Sequence, residues 1–377
     1  MGYDGVTHAL LTDMIATTQS KEKWDGQWVY LRGRHDYPLL NLFFHGAGMP
    51  DTISGGKSVK WNAQYRENGQ SQATRPGMIR ERQLVQTMTT AELGWVQAYG
   101  SYGILKREML ENWGDQQIIN LVKTKREAGL RDLANTLEPI LWNAGSSSTD
   151  DLAPAGISYW LPPITGAQVL AGTGAGAHQG TAHTSFSNTA GIDASDAAYA
   201  RWCSYNDTWS NSSGEVTEED LRRMGRAWRR AHFKNPIGLG TAAVPTIKLF
   251  LGACETIVDS FSSAARRNND ETGADPAKYY GAGLSADGAP IFKGTPLVWC
   301  EDLDAHADYT AAGYPLVGLN LDEWKPRVFR DCNFVEELQP VFRDQPDLFV
   351  TDIDLMYQIS VWNRQACGFV ISYVASA

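Results

Sequence analysis

The sequence predicts an α+β protein with no internal repeat at a fixed period. Three observations carry that reading. Ser58 to Tyr65 alternates apolar and polar residues with a period of two. From Asp115 the period becomes helical and stays so for some six turns. From Leu348 to Ser372 the chain closes in a long β-type alternation.

In chain order, Thr7 to Thr18 sets Leu10, Leu11, Met14 and Ile15 on one helical face. The aromatic stretch from Trp24 to Phe44 follows, carrying Trp24, Trp28, Tyr30, Phe43 and Phe44 without a clear period. Such a segment cannot bury its own aromatic rings, so residues 1–50 read as an arm lying across something else. Residues 51–105 read as a protruding hairpin. Val59, Trp61, Ala63 and Tyr65 alternate with Ser58, Lys60, Asn62 and Gln64 on the ascending strand. The polar tip contains the turn pairs Asn68-Gly69 and Pro76-Gly77, and it sets Arg66, Arg75, Arg80 and Arg82 against Glu67 and Glu81. Leu84 to Gly103 returns to strand chemistry.

Asp115 is a plausible N-cap for the long helix. Ile118, Leu121, Val122, Ala128, Leu133 and Leu137 mark its apolar face, and a stop or kink is expected around Pro139. Residues 143–214 are rich in Gly, Ala, Ser and Thr. Trp160, Leu161, Ile164, Phe186, Ile192, Trp202 and Trp209 punctuate them, which predicts an ordered excursion of short strands and loops. Thr217-Glu-Glu-Asp220 is a capping box opening a second helix. A third is expected over Ile247 to Ala265, and the chain beyond Gly281 reads as strands broken by Pro/Gly turns.

Composition narrows the function. With 377 residues and 43% hydrophobic content, the chain is long enough for a sizeable core. Its 13 Trp residues suit large packed surfaces, either carbohydrate clefts or subunit interfaces. A net charge of −10 disfavours wrapping nucleic acid over the whole surface, whereas an acidic container wall would let packed DNA slide. Cys203, Cys254, Cys300, Cys332 and Cys367 are odd in number and never spaced as CxxC, so buried thiols in a reducing cytoplasm are expected. No signal peptide and no apolar run of about 18 residues is evident.

The Gly172 to Ala177 run GTGAGA lacks the following helix of a dinucleotide loop. His178 and His183 have no further ligand at metal spacing, and Glu301, Asp302, Asp304, His306 and Asp308 lack the glycine and terminal glutamate of a calcium loop. A solvated acidic loop is expected there. No nucleophile elbow, HExxH or Walker A pattern occurs. The sequence therefore predicts no enzyme, no cofactor and no metal. A secreted carbohydrate-active enzyme, suggested by the Trp count and the Asn206 and Asn211 glycosylation triplets, is opposed by the missing signal peptide.

Several stretches resemble the major capsid proteins of tailed bacteriophages, whose fold is the Hong Kong ninety-seven type. GGKSVKWNAQYREN resembles the ascending strand of that family's extended loop. Ser101 to Gly145 resembles its lead-in and spine helix. APAGISYWLPP and TAGIDASDAAYARW look like its glycine-isoleucine segments. IFKGTPLVWCEDLD, YPLVGLNLDEWKPRV and the closing strands resemble those returning into the peripheral domain. The order of these pieces, covering most of Gly55 to Ile371, is what persuades.

The resemblance implies an arm (1–50), an extended loop (51–105), a peripheral domain with the spine helix (106–150), an axial domain (151–325) and return strands (326–377). It implies copies that assemble into hexamers and pentamers of an icosahedral shell enclosing double-stranded DNA. Scaffolding, portal and decoration proteins are the implied partners, with no membrane involved, and assembly falls in the host bacterial cytoplasm. Arg66, Glu67, Arg75, Arg80, Arg82, Trp24, Trp28, Tyr30, Phe43 and Phe44 become candidate contacts between subunits. Lys57 and Lys60 sit at the hairpin base, so no covalent crosslink is expected. The nearest alternative is an encapsulin-like nanocompartment, which genes for a terminase and portal, or for a tagged cargo enzyme, would distinguish.

Overall fold

The computed structural model describes residues 37–45, 50–64, 86–111, 115–143, 152–163, 178–179, 188–193, 196, 199, 202–210, 213–231, 249–272, 282–285, 288–305, 313–340 and 347–373. A helical turn at Pro38–Leu40 runs into a π turn at Asn41–His45. Strands β1 (Asp51–Ile53), β2 (Ser58–Gln64), β3 (Met88–Gly94) and β4 (Val96–Leu105) follow, then helices α1 (Lys106–Glu111), α2 (Asp115–Trp142) and α3 (Ile157–Trp160). Next are β5 (His178–Gln179), β6 (Asn188–Thr189), β7 (Ile192–Asp193), β8 (Ser204–Thr208), α4 (Glu218–Ala231), β9 (Leu249–Ala253) and α5 (Glu255–Thr272). The rest comprises β10 (Ala282–Leu284), β11 (Pro290–Phe292), β12 (Thr295–Trp299), α6 (Glu301–Ala305), β13 (Leu316–Asn320), β14 (Trp324–Phe329), β15 (Val335–Leu338), β16 (Leu348–Val361) and β17 (Gly368–Ser372).

The chain divides into two compact units. The first takes the described residues up to Gly56, with Trp95–Leu141 and Pro326–Gln358. Its five-stranded sheet is organised by β16. On one side β16 pairs antiparallel with β4 over ten residues, from Leu348↔Leu105 to Tyr357↔Val96. On the other it meets β14 and β15, and β1 lies parallel to β14. Burial along β16 alternates as far as Tyr357, as the period-two sequence predicts, and is continuous from there to Val361. Helix α2 approaches β4 closely: a Cβ at Gly129 would come within 3.0 Å of Tyr102, and one at Gly100 within 3.3 Å of Leu133. Ile104, Met109, Val122 and Phe349 form a cluster in this unit's core.

The long helix does not stop at Pro139; it runs to Trp142. In the last turn a proline costs one hydrogen bond at most, and the complete burial of Leu141 and Trp142 offsets that loss. At its base the hairpin ends sooner than the sequence suggests. β2 pairs with β3 from Ser58↔Gly94 to Gln64↔Met88, and the expected continuation pairs with β16 instead. At 14 residues β16 is twice the length of the 7-residue β2, and it alone has partners for ten more residues.

The second unit takes Lys57–Gly94, Trp142–Lys325 and the described residues from Ile359. Its eight-stranded mixed sheet has the order β10-β11-β12-β9-β13-β17-β8-β5. The return segment of the chain is therefore divided: β17 enters this sheet between β13 and β8, while β14, β15 and most of β16 serve the other. The third helix also differs from expectation. Leu249–Ala253 is a strand between β12 and β13, and helix begins only at Glu255. A fully apolar run of that length fits a buried strand as well as a helix, and only its neighbours decide. Trp228 of α4 and Phe261 of α5 both pack edge-on to Phe292, at 5.6 and 6.3 Å between ring centres.

The second helix opens as the sequence predicts. The Asp220 carboxylate accepts from the Thr217 backbone N–H (3.0 Å) and hydroxyl (2.6 Å), and Asp220 N–H donates back to the Thr217 hydroxyl oxygen at 3.4 Å. Asp220 also accepts from Ser210 N–H at 2.8 Å, so this cap fastens the preceding loop.

Candidate assembly surfaces

Of the ten residues singled out for contacts between subunits, Arg66, Glu67, Arg75, Arg80, Arg82, Trp24, Trp28 and Tyr30 lie outside the described residues. Phe43 and Phe44 are placed, and within their own unit. Phe43 is 1% exposed. Phe44 is half-buried, edge-on to Phe334 at 5.7 Å and Tyr357 at 6.1 Å. Phe43 is therefore a core residue of its own unit, whereas Phe44, held edge-on by two rings, keeps part of its surface open. The cause is the end of α2: Glu138 accepts from the backbone N–H of Leu39 and Leu40, both at 2.9 Å, and Tyr37 donates its hydroxyl to Asn135. Residues 37–44 are pinned there before their rings reach anything else.

The described root of the hairpin is two-faced. Val59, Ala63, Ala91 and Leu93 are buried, with Trp61 packed 6.2 Å from Trp160. Glu92 N–H donates to Ala190 O at 2.9 Å, tying β3 to the β6–β7 turn. On the outer face Lys60 and Glu92 pair across the strands at 3.0 Å. The Ser58 hydroxyl, donating at 2.5 Å, and then Lys60 hold the Glu92 carboxyl below its usual range. The root thus presents a fixed polar surface leading to the arginine-rich tip.

Sequence reasoning missed several exposed apolar side chains, among them Tyr99, Trp299 and Trp362. Tyr99 was recoverable, since it falls on the outward parity of β4. Trp299 was not, because it shares the parity of buried Leu297 on β12.

The acidic run at Glu301 is no open loop at its start. It forms α6, and Asp304 is engaged: it accepts from Trp299 Nε1 at 2.7 Å and from Glu255 N–H at 3.1 Å. Burial, then the neighbouring Glu301, raises the Asp302 carboxyl to about 6. His306, Asp308, His183 and the run 172–177 lie outside the described residues. No group of three or more metal-binding side chains occurs among the described residues, and no helix among them is long and apolar enough to cross a membrane. Asn206 is wholly buried in β8 and donates to Pro162 O, which removes it as a glycosylation acceptor.

No family model and no curated protein matches the sequence. Similarity appears in three dimensions. The cyanophage A-1(L) capsid asymmetric unit superposes with a TM-score of 0.55 at 14% identity, over 90% of this chain and 93% of that one. The capsid of the native GTA particle (TM-score 0.49, 12% identity, 92% of each chain) and that of Myoviridae phage XM1 (0.48, 9%, 88% and 92%) are also similar. The chain has an α+β fold of the tailed-phage major capsid type. At such identity the likeness carries the fold and no more.

Proposed function

We propose that the chain is the major capsid protein of a tailed bacteriophage, a structural subunit that assembles into hexamers and pentamers of an icosahedral shell around double-stranded DNA. The observation that carries this reading is a capsid fold matched along nine tenths of both chains, 90% and 93%. The absence of any recognised catalytic motif and the acidic net charge of −10 agree with a container wall that does not grip its contents. Scaffolding, portal and decoration proteins are the partners such a role calls for. The arginine-rich hairpin tip remains the candidate arm between neighbouring subunits, because guanidinium groups pair bidentately with carboxylates.

Expression of the chain, alone and with its scaffolding protein, followed by light scattering and negative-stain microscopy tests this. Closed shells of uniform diameter, or hexamer- and pentamer-sized rings, are expected. A monomer under every condition would remove the proposal.

A further inference from the structure

Charge in the second unit is sorted along one strand. At the start of β12 the Lys293-Gly294 turn has both residues left-handed, with φ of 48° and 83°. Turns of that kind favour Asn or Asp before the glycine. Here a lysine takes the place, and its ammonium lies 5.7 Å from the centre of the Trp228 ring and 5.5 Å from that of Phe292. Exposed Arg226 and Arg229 stand on the same helix, α4, one turn apart. Burial, then the Arg229 charge, lowers the affinity of Lys293 for its proton. No carboxylate pairs with Arg229 or Lys293 among the described residues, while Arg226 lies in the field of the buried Asp207 carboxylate. One turn earlier on α4 the pattern is the opposite, since Glu218 meets Arg222 at 2.7 Å and Glu219 meets Arg223 at 2.8 Å.

The other end of β12 is the converse. Trp299 is 47% exposed, and Glu301 and Asp302 follow it after Cys300. β9 runs parallel to β12, with Trp299 opposite Ala253, so Glu255 and Asp259 of α5 emerge at this same end. No cation pairs with Glu255, Asp259, Glu301 or Asp302 among the described residues. The arrangement is rigid, because Asp304 holds both the Trp299 indole and the first turn of α5. The two ends stand about 17 Å apart, the rise of a five-residue strand. Among the described residues Arg229 and Lys293 at one end, and Glu255, Asp259, Glu301 and Asp302 at the other, form no ion pair, and turn chemistry opposes the lysine.

We infer that the second unit binds head to tail to a second copy of this chain, the Arg226–Arg229–Lys293 end of one copy receiving the Trp299–Glu301–Asp302 end of the next. The inference rests on the capsid reading and says which faces meet around its rings. A head-to-tail contact is heterologous, and such contacts give rings where the rotation between copies closes. The exposed tryptophan beside the carboxylates supplies the aromatic anchor that interfaces favour, and the arginines supply its cationic complement. Opposed charges also set the direction of docking, since like ends repel.

The test uses the full chain with its scaffolding protein and two charge reversals, Arg226→Glu with Arg229→Glu and Glu255→Lys with Glu301→Lys. Thermal melting followed by circular dichroism checks that each is folded. Ring formation by light scattering and microscopy is expected to need about tenfold more protein, or to fail, for either variant alone. An equimolar mixture of the two is expected to recover six-membered rings but not five-membered ones, because alternation closes only on an even number. Should a reversal not fold, Arg226→Gln with Arg229→Gln and Glu301→Gln keep the size of the side chains, and a smaller loss in the same direction is expected.

If the wild-type chain itself never assembles, the capsid reading fails and this inference with it. If folded reversals assemble like wild type, or the mixture recovers nothing, the faces do not meet and only this inference falls. If assembly is intact but Arg226→Glu with Arg229→Glu alone lowers retention of labelled duplex DNA, the cationic face serves nucleic acid and the inference is overturned.

Discussion

In the first unit Arg126 meets Glu336 through Nε at 2.8 and 3.0 Å and through a terminal nitrogen at 2.7 Å, with both side chains nearly sealed from water at 6% and 4% exposure. In the second unit Arg364, 1% exposed in the turn between β16 and β17, meets only neutral oxygens: Thr189 Oγ1 at 2.9 Å, Trp202 O at 3.2 Å and Trp160 O at 3.4 Å. Among the described residues no carboxylate pairs with it. Burial lowers its proton affinity, and the adjacent Cys203 and Cys367 thiols offer no charge, since burial pushes Cys203 up to about 11 and Cys367 higher still. Arg126 is neutralised by a partner, whereas Arg364 is solvated by the fold itself. A pair of side chains can be exchanged together. Two of the three acceptors around Arg364 are backbone carbonyls, which no substitution removes.

The largest expected effect comes from breaking the pair. Glu336→Ala takes the buried carboxylate away from the Arg126 guanidinium and removes the acceptor of the Tyr102 hydroxyl, 3.1 Å away, so a loss of about 3–5 kcal/mol is expected in denaturant unfolding of the unassembled chain. Exchanging both partners, Arg126→Met with Glu336→Leu, is expected to fall within about 1 kcal/mol of wild type or above it. A double variant as unstable as Glu336→Ala would show that the ion pair itself is net stabilising.

Arg364→Met probes the other side of the comparison. It removes the charge but leaves three buried oxygens with fewer donors, of which Thr189 Oγ1 keeps the Trp202 indole N–H at 2.8 Å. A loss of about 2–3 kcal/mol is expected, with no second-site apolar substitution restoring it. Recovery by such a substitution would mean that packing, not hydrogen bonding, had been lost.

The smallest effect comes from a half-buried carboxyl that gives up its charge only below about pH 6. Asp302 has its folded carboxyl raised to about 6 from an ordinary value of 3.8, by burial and then by Glu301. Its contribution is fully present below the unfolded value and is lost as pH rises through the folded one. Stability is therefore expected to fall between about pH 4 and 6, by about 1 kcal/mol once solvent screening of this partly exposed group is allowed for. Asp302→Asn should flatten that slope in thermal melts across the window, and an unchanged slope would assign it to another group.

The parts legible in the sequence were those specified by neighbours a few residues away. The Thr217–Asp220 capping box, the alternation of β2 and β16, and the apolar stripe of α2 each follow from local period or a local hydrogen bond. Leu249–Ala253 misled because a short apolar run has no period of its own, and the buried sheet on both sides makes it a strand. The burial of Phe43 is not legible in its own segment, because that segment is fixed by a helix end near 138 and by rings near 334 and 357 that pack on the adjacent Phe44. The acidic end of β12 is legible as a charge run, but its cationic counterpart is not, since Lys293 and Arg229 are drawn together only by the packing of α4 on the sheet.

The sequence by itself determined the α+β character, the positions of most helices and strands, and the acidic balance of a chain with no recognised catalytic motif. Those properties depend on composition and on interactions spanning one or two turns. Tertiary structure alone decided that β4 leaves the hairpin to pair with β16, some 250 residues away, and that β17 threads between β13 and β8. It also decided that one buried arginine receives a carboxylate and the other a cage of neutral oxygens. A strand's pattern states which face it buries but not which edge it will meet, and that choice is made by register and fit between distant segments.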